Sequence, residues 1–181
     1  HEEVPTLIDP NKTNAFICSI LKRPVFRSSP VYYQKSVKGK VEIENTKEVQ
    51  AIDGIAVLKL MKYIDDKIDT GTLNEENLAE YLELQRRSNP RCFDLSFETI
   101  AAVDSNAAMM HYAPSKEKHS PVTRNNQLLL VDSGGQYYGG TTDTTRTFIV
   151  SMHVSDAVKH DYTLTLKSQI ALSTTIFEKG C

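Results

Sequence analysis

The residues best suited to chemistry lie in one string, Asp132-Ser133-Gly134-Gly135-Gln136-Tyr137-Tyr138-Gly139-Gly140-Thr141-Thr142-Asp143-Thr144-Thr145-Arg146-Thr147. Asp132 directly follows the apolar run Leu128-Leu129-Leu130-Val131. An ionised carboxylate there loses hydration energy unless it is paired, hydrogen-bonded or bound to metal. Asp143 stands eleven residues further on, past a glycine pair that can turn the chain back, so a hairpin can bring both carboxylates to one face. Two acids held so close repel unless cations lie between them, and hard divalent ions accept oxygen ligands. A two-metal centre would need one of the pair to bridge. Spacing alone leaves the plainer alternative open and reads more readily that way, as solvated turn and strand-end residues. Gly134-Gly135 reads as a bulge or tight turn rather than a phosphate cradle, because no helix start follows it closely. Arg146 reads as an exposed ion-pair partner that, beside two acids, can help to hold them.

His111, in Met109-Met110-His111-Tyr112-Ala113-Pro114, follows a short apolar stretch and precedes a loop. A lone histidine of this kind is commonly a hydrogen-bonded structural residue; its functional use is as a neutral donor or proton carrier near neutrality. His119, His153 and His160 have polar neighbours and read as surface residues. No serine or cysteine has a nucleophile's context, and Gly-x-Ser-x-Gly is absent.

The elements that must position these residues show in the hydrophobic periods. Residues 4–8 can form a strand, and Asp9-Pro10 can open a helix carrying Phe16, Ile17, Ile20 and Leu21. Residues 22–30, with two prolines and two serines, read as a linker. Residues 31–37 are β-prone. Asn45 and Glu48 have capping-box spacing before Val49, Ile52, Ala56, Leu60, Ile64 and Ile68, an apolar stripe at helical intervals that Gly71 stops. Thr72 and Glu75 repeat the capping signal for a second helix through Leu78, Tyr81, Leu82 and Gln85, up to Asn89-Pro90. The period then shortens toward two: residues 97–103, 107–110 and 127–132 read as strands, and Gly139-Gly140 marks a hairpin. Ser155 caps a last helix through Val158, Tyr162, Leu166 and Ile170, which Gly180 can end. The fold class is α+β.

Composition narrows the rest. The 181 residues carry 21 Lys+Arg against 23 Asp+Glu, with 40% hydrophobic residues, which suits a globular chain with one sizeable core. A net charge of −2 offers no positive field for nucleic acid or an anionic membrane, and no apolar run approaches the length of a spanning helix. Cys18, Cys92 and Cys181 lie far apart, an odd count without a CxxC pair, and read as reduced. A soluble, cytoplasmic chain is the expectation.

The motifs match a known family. The chain resembles the Xaa-Pro aminopeptidases (aminopeptidase P) of the pita-bread metallopeptidases over residues 31–177. The likeness is strongest in Leu95-Ser96-Phe97-Glu98-Thr99-Ile100, in Met110-His111-Tyr112-Ala113-Pro114 and in the string from Asp132 to Thr147. The resemblance implies two divalent metal ions, Mn²⁺ first, with Zn²⁺ or Co²⁺ as alternatives. Asp132 would be a ligand of one, Asp143 would bridge both, and His111 would assist proton transfer or stabilise the tetrahedral intermediate. The implied substrate is a peptide with proline second, from which the N-terminal residue is released, and the family often forms homodimers.

By the same resemblance, residues 1–30 are the tail of a preceding amino-terminal domain with its linker, and residues 31–181 are the amino-terminal half of a pita-bread catalytic domain. The second half of that fold brings a histidine and two glutamates. Nothing like its His-Gly-x-Gly-His type motif with two glutamates occurs in residues 150–181, so the chain is expected to be a fragment that is inactive alone. Asp104-Ser105-Asn106-Ala107-Ala108 also departs from the family's glycine-containing run before the histidine. The alternative from another functional class is a non-catalytic, pita-bread-like protein-binding module.

Overall fold

A computed structural model describes residues 4–178. Contacts divide the chain into two compact units, residues 1–45 and 46–181.

In the first unit, β1 (Thr6–Ile8) pairs in parallel with β2 (Pro24–Phe26) around α1 (Ala15–Ile20). The helix starts at Asn14, whose side chain accepts from Ile17 N at 2.9 Å, and not at Asp9-Pro10. Asp9 caps turns instead, accepting from Asn11 N and Ser29 N, both at 3.0 Å. Residues 22–30 are thus no plain linker, since they contribute a strand. Residues 31–37 are also not a strand: they lie largely in α2 (Pro30–Ser36). Pro30 at the first helical position has its φ preset for a helix and has no N–H to leave unpaired, which outweighs the β tendency of Val31, Tyr32 and Tyr33.

The long helix α3 (Lys40–Lys67) begins upstream of the anticipated Asn45 cap. Glu42 accepts from Gly39 N at 2.9 Å, so the carboxylate half of a capping arrangement lies at Glu42 rather than Glu48. Gly71, at φ 72°, ends the short 3₁₀ turn that follows α3, as its freedom in the left-handed region allows.

In the second unit, α4 (Glu75–Arg87) is capped by Asn74 and Asn77, whose side chains bond each other's backbone N–H at 2.8 and 3.0 Å. Thr72 and Glu75 are therefore not the cap. β3 (Cys92–Leu95), which the sequence pattern did not reveal, joins β6 (Gly135–Tyr137) and β7 (Gly140–Thr141) in an antiparallel sheet. Gly139, at φ 111°, makes the anticipated hairpin turn between β6 and β7.

The other sheet has the order β4 (Ile100–Val103), β5 (Leu128–Ser133), β8 (Thr144–Ile149), all antiparallel. Residues 107–110 are not a strand, because β4 ends where Asp104 turns to φ 45° and opens a 3₁₀ turn, Asp104–Ala108. The Asp104 carboxylate holds this corner by accepting from Gln127 N and Leu128 N at 2.9 and 3.1 Å.

Pleating sends Leu129 and Val131 to one face, where they pack with Ala101 and Val103 against Ala56, Leu60 and Ile64 of α3 and Leu78 and Leu82 of α4. The register Leu128↔Ile149, Leu130↔Thr147 and Asp132↔Thr145 puts those residues on the other face. A groove of about 1200 Å³ runs there, with Leu128, Leu130 and Thr147 on the sheet side and Tyr162 and Leu166 on α5 (Asp156–Thr174). Ser155 caps α5 as anticipated, accepting from Val158 N. The helix ends at Thr174, ahead of Gly180, which lies outside the described residues. Among the described residues no helix is long and apolar enough to cross a membrane. Cys18 and Cys92 are free thiols, and Cys181 lies outside the described residues.

Candidate metal centre

Asp132 is the fifth residue of β5, beside Ile100 on one flank and Thr145 on the other. Its Oδ1 is buried, with no hydrogen-bond partner among the described residues. A dry, unpaired carboxylate oxygen is costly and suits a cation ligand. Asp143 immediately precedes β8 and is exposed. Ser133 pairs with Thr144, so continuing the pleat puts Asp143 diagonal to Asp132 on the same face. Two carboxylates so placed offer oxygen donors of the kind that Mg²⁺, Ca²⁺ or Mn²⁺ accept. Among the described residues, no group of three or more His, Cys, Asp or Glu is gathered for a metal.

The glycine after Ser133 has a packing reason. A Cβ on Gly134 would lie 1.9 Å from Thr142 O and 2.3 Å from Ser96 Oγ. The segment leaving Asp132 and the segment entering Asp143 therefore approach more closely than any side chain permits. Hydrogen bonds close this seam: Gly135 N to Thr142 Oγ1 at 2.9 Å, Thr142 N to Gly135 O at 3.0 Å, and Ser96 Oγ to Thr142 O at 2.8 Å. Arg146 is exposed and donates to Thr145 O at 2.8 Å. His111 is exposed, at φ 56°, in the turn after the 3₁₀ segment, and among the described residues no hydrogen bond or ion pair joins it to either aspartate. Asp132, Asp143 and His111 do not line the 1200 Å³ groove, whereas Arg146 and Thr145, the partner of Asp132, do.

Beneath the candidates lie two buried carboxylates that the motif reading passed over. Asp53 on α3 meets Arg86 on α4 in a two-point ion pair, Nε to Oδ1 at 2.6 Å and Nη2 to Oδ2 at 3.0 Å. Arg86 Nη2 also donates to Ser133 Oγ at 3.0 Å, and the Tyr137 hydroxyl donates to Asp53 Oδ1 at 2.7 Å. Two helices and two strands are thus fastened directly behind Asp132. Burial alone would raise the Asp53 pKa; the hydrogen bonds from Arg86 and Tyr137, with the Arg86 charge, hold it below the ordinary value instead. Burial, then the bond to Asp53 and its charge, push Tyr137 well above the usual phenol value.

Glu75, fully buried at the start of α4, accepts four hydrogen bonds: Val103 N at 2.8 Å and Asn106 Nδ2 at 2.9 Å on Oε1, the Tyr112 hydroxyl at 2.6 Å and Ser120 N at 2.7 Å on Oε2. Burial and the Glu75 carboxylate push Tyr112 up to about 12.

Comparison with known proteins identifies the family. Residues 44–181 match the model of metallopeptidase family M24. The chain is 38% identical over 154 residues to a probable Xaa-Pro aminopeptidase P of Phaeosphaeria nodorum, covering 84% of this chain and 23% of that protein. It is 39% identical over 150 residues to Xaa-Pro aminopeptidase 2 of Mus musculus, covering 82% of this chain and 22% of that one. The chain thus spans about a quarter of the length of these curated relatives.

Among solved structures, the X-prolyl aminopeptidase of Caenorhabditis elegans, described as a cytosolic enzyme with a di-nuclear active site, superposes with a TM-score of 0.88 at 28% identity. The match covers 99% of this chain and 29% of that one. Aminopeptidase P of Escherichia coli superposes at 0.71 and 19% identity, over 93% of this chain and 40% of that one, a likeness of fold alone. The mixed helix-and-strand architecture is that of part of a pita-bread fold. The chain belongs to metallopeptidase family M24.

Proposed function

We propose that the protein carrying this chain is a metal-dependent aminopeptidase that releases the N-terminal residue from peptides with proline in second position. Asp132 and Asp143 would hold a pair of divalent ions, Mn²⁺ first. His111 serves proton transfer or stabilises the tetrahedral intermediate. Residues 1–30 belong to the tail of a preceding domain, and residues 31–181 form the amino-terminal half of the catalytic domain.

One observation carries the reading: the buried Oδ1 of Asp132, unpartnered among the described residues, at a strand end whose neighbour leads directly to Asp143. A solvated strand-end acid would have no such oxygen. Membership of family M24 and the names of the relatives support the reaction class.

When bound, a divalent pair supplies Lewis acidity and a nucleophile at neutral pH. The chain's own part is to hold that pair and to serve the proton. Asp132 is oriented by the ladder bonds of β5, and its neighbour Ser133 is anchored by Arg86. The Gly134–Thr142 seam keeps the two acids' segments in register. An imidazole at His111 carries both a proton donor and an acceptor site, as proton transfer to a leaving amine requires. With two acidic ligands and no third gathered among the described residues, the 181 residues alone are expected not to turn over substrate. A homodimer and a cytosolic location, the latter stated for the Caenorhabditis elegans enzyme, complete the proposal.

The test is Asp132→Asn and Asp143→Asn in the complete protein, with metal content by elemental analysis and cleavage of an Xaa-Pro peptide. Each should lose bound metal and at least about 100-fold in rate, since even residues behind the ligands are worth 10- to 100-fold. Unchanged metal content and rate would remove the pair from the site. A complete wild-type protein that is folded, binds no divalent ion and cleaves nothing would instead support the binding-module class.

A further inference from the structure

His111 sits in a segment that makes a long excursion, leaving the sheet after Val103 and coming back to the start of α4 at Ser120, before β5 begins at Leu128. Excursions of this kind are normally held by their own turns and by contact with water. Here both ends and two interior residues converge on one fully buried carboxylate. Val103 N and Ser120 N, at the exit and the return, donate to Glu75 at 2.8 and 2.7 Å. Asn106 Nδ2 and the Tyr112 hydroxyl, from within, donate at 2.9 and 2.6 Å. Asn106 Nδ2 ties the same group together through Ser120 Oγ at 2.9 Å. Tyr112, 5% exposed, is the residue directly after His111, and Tyr112 N is bonded to Met109 O at 3.2 Å. His111 is therefore bracketed within the four-residue turn Met109–Tyr112, whose far end is fastened to Glu75, in a left-handed conformation that a non-glycine residue keeps only when its surroundings impose it.

Among the described residues no ion pair compensates Glu75 in this cage. All four donors are neutral, and the positive end of α4 supplies the remaining stabilisation. A structural ion pair would have tied Glu75 to one element. Four neutral donors drawn from positions 103 to 120 instead tie it to one segment, the one that carries His111.

We infer that Glu75 is the positioning residue of the His111 segment, fixing where the imidazole stands through Tyr112 and through both ends of the excursion. The inference rests on the reading of His111 as the group that serves the proton, and its test separates the two.

In the complete protein, Glu75→Gln, Tyr112→Phe and His111→Gln are compared by three measurements. These are Mn²⁺ affinity by calorimetry, kcat and KM on an Xaa-Pro peptide, and the His111 ring resonance in histidine-labelled protein, assigned from its loss in His111→Gln. Glu75→Gln should shift or broaden the His111 resonance and lower kcat by about 100-fold, the scale of an ångström-sized misplacement. KM and Mn²⁺ affinity should stay within about twofold of the unmodified protein, because Asp132 and Asp143 are held by other bonds. Tyr112→Phe, which removes one donor and keeps the ring, should move the same resonance and kcat in the same direction by less.

A His111 resonance unmoved in both variants overturns the inference, as does Mn²⁺ affinity falling in step with kcat, which would make Glu75 a general structural residue. If the resonance moves as stated but His111→Gln leaves kcat untouched, the positioning inference stands and the proton-transfer reading of His111 fails. Should Glu75→Gln not fold, Tyr112→Phe alone decides by the same criteria.

Discussion

Asp53 and Glu75 are both buried acids within this small core, and they are made tolerable in opposite ways. Asp53 faces a full positive charge, a two-point guanidinium at 2.6 and 3.0 Å that itself is 0% exposed. Glu75 meets only neutral donors at a helix start. The first solution joins rigid elements, α3 to α4 and to the strands bearing Ser133 and Tyr137. The second gathers a loop. A guanidinium fork fits one geometry and suits a place where strands must not move, behind Asp132. Separate N–H and O–H donors can be recruited from wherever a wandering segment passes, which suits the His111 excursion. The two differ also in completeness: Arg86 Nη1 is buried without a partner among the described residues, whereas Glu75 has two donors on each oxygen.

The comparison breaks most readily at Arg86. Arg86→Met leaves Asp53 as an uncompensated buried anion and should cost about 3–5 kcal/mol in a denaturant titration. Glu75→Gln keeps an acceptor and removes a charge that has no counter-ion, so about 1–3 kcal/mol is expected. Equal losses would mean that the charge pair is no different from the neutral cage. Asp53→Leu combined with Arg86→Met should recover part of the Arg86→Met loss, because no lone charge remains. The recovery stays partial while the Tyr137 hydroxyl and Ser133 Oγ, both deprived of partners, are present; adding Tyr137→Phe and Ser133→Ala should complete it.

Alkali and acid sharpen the same contrast. Tyr112 and Tyr137 both hold their protons above the ordinary phenol value near 10, Tyr112 up to about 12. The folded state therefore binds more protons than the unfolded chain in that range. The stability each contributes is whole below pH 10 and is lost as pH rises through the folded value. Asp53, held below the ordinary carboxylate value, behaves in the reverse sense: its contribution is whole above that value and is lost as pH falls through the lowered one. Melting temperature against pH should show an alkaline decline that Tyr112→Phe and Tyr137→Phe each make shallower. An alkaline limb indifferent to both changes would detach the tyrosines from the carboxylates.

The extent to which all this could be read from sequence follows from distance along the chain. The α3 stripe, the Gly71 stop, the Gly139 turn and the apolar strand leading to Asp132 are local patterns, and each lies where its pattern predicts. The strand forecasts for 31–37 and 107–110 failed because Pro30 and the turn at Asp104 override the propensity of their neighbours. The two buried carboxylates escaped for a different reason. Asp53 and Arg86 are 33 residues apart, and the donors to Glu75 lie 28 to 45 residues away, so no local window holds both ends of a bond. A signal was nonetheless present. Asp53 falls between Val49 and the later positions of the same stripe, Ala56 and Leu60, and Arg86 continues the Leu78, Leu82 spacing. A charged residue at a core position of each of two consecutive helices asks for a partner, and the two answer each other.

Arg87 supplies the smallest expected effect and the strictest control. It adjoins Arg86 in sequence, and its Nε lies 2.6 Å from Glu83 Oε1, the same separation as Arg86 from Asp53. A second contact reaches Asp94 at 3.1 Å. By distance the two arginines are equals; by environment they are not, since the Arg87 side chain is 45% exposed and that of Arg86 is 0% exposed. Water already solvates Arg87 and Glu83 when they are apart, so bringing them together replaces hydration rather than creating attraction, and added salt screens what is left. Arg87→Ala should therefore cost far less than Arg86→Met in the same denaturant titration, and less still in high salt. A loss at Arg87 approaching that at Arg86, and insensitive to salt, would show that contact distance rather than burial sets the strength of these pairs. The distinction between the charge-locked strands behind Asp132 and the neutral cage around the His111 segment would then lose its physical basis.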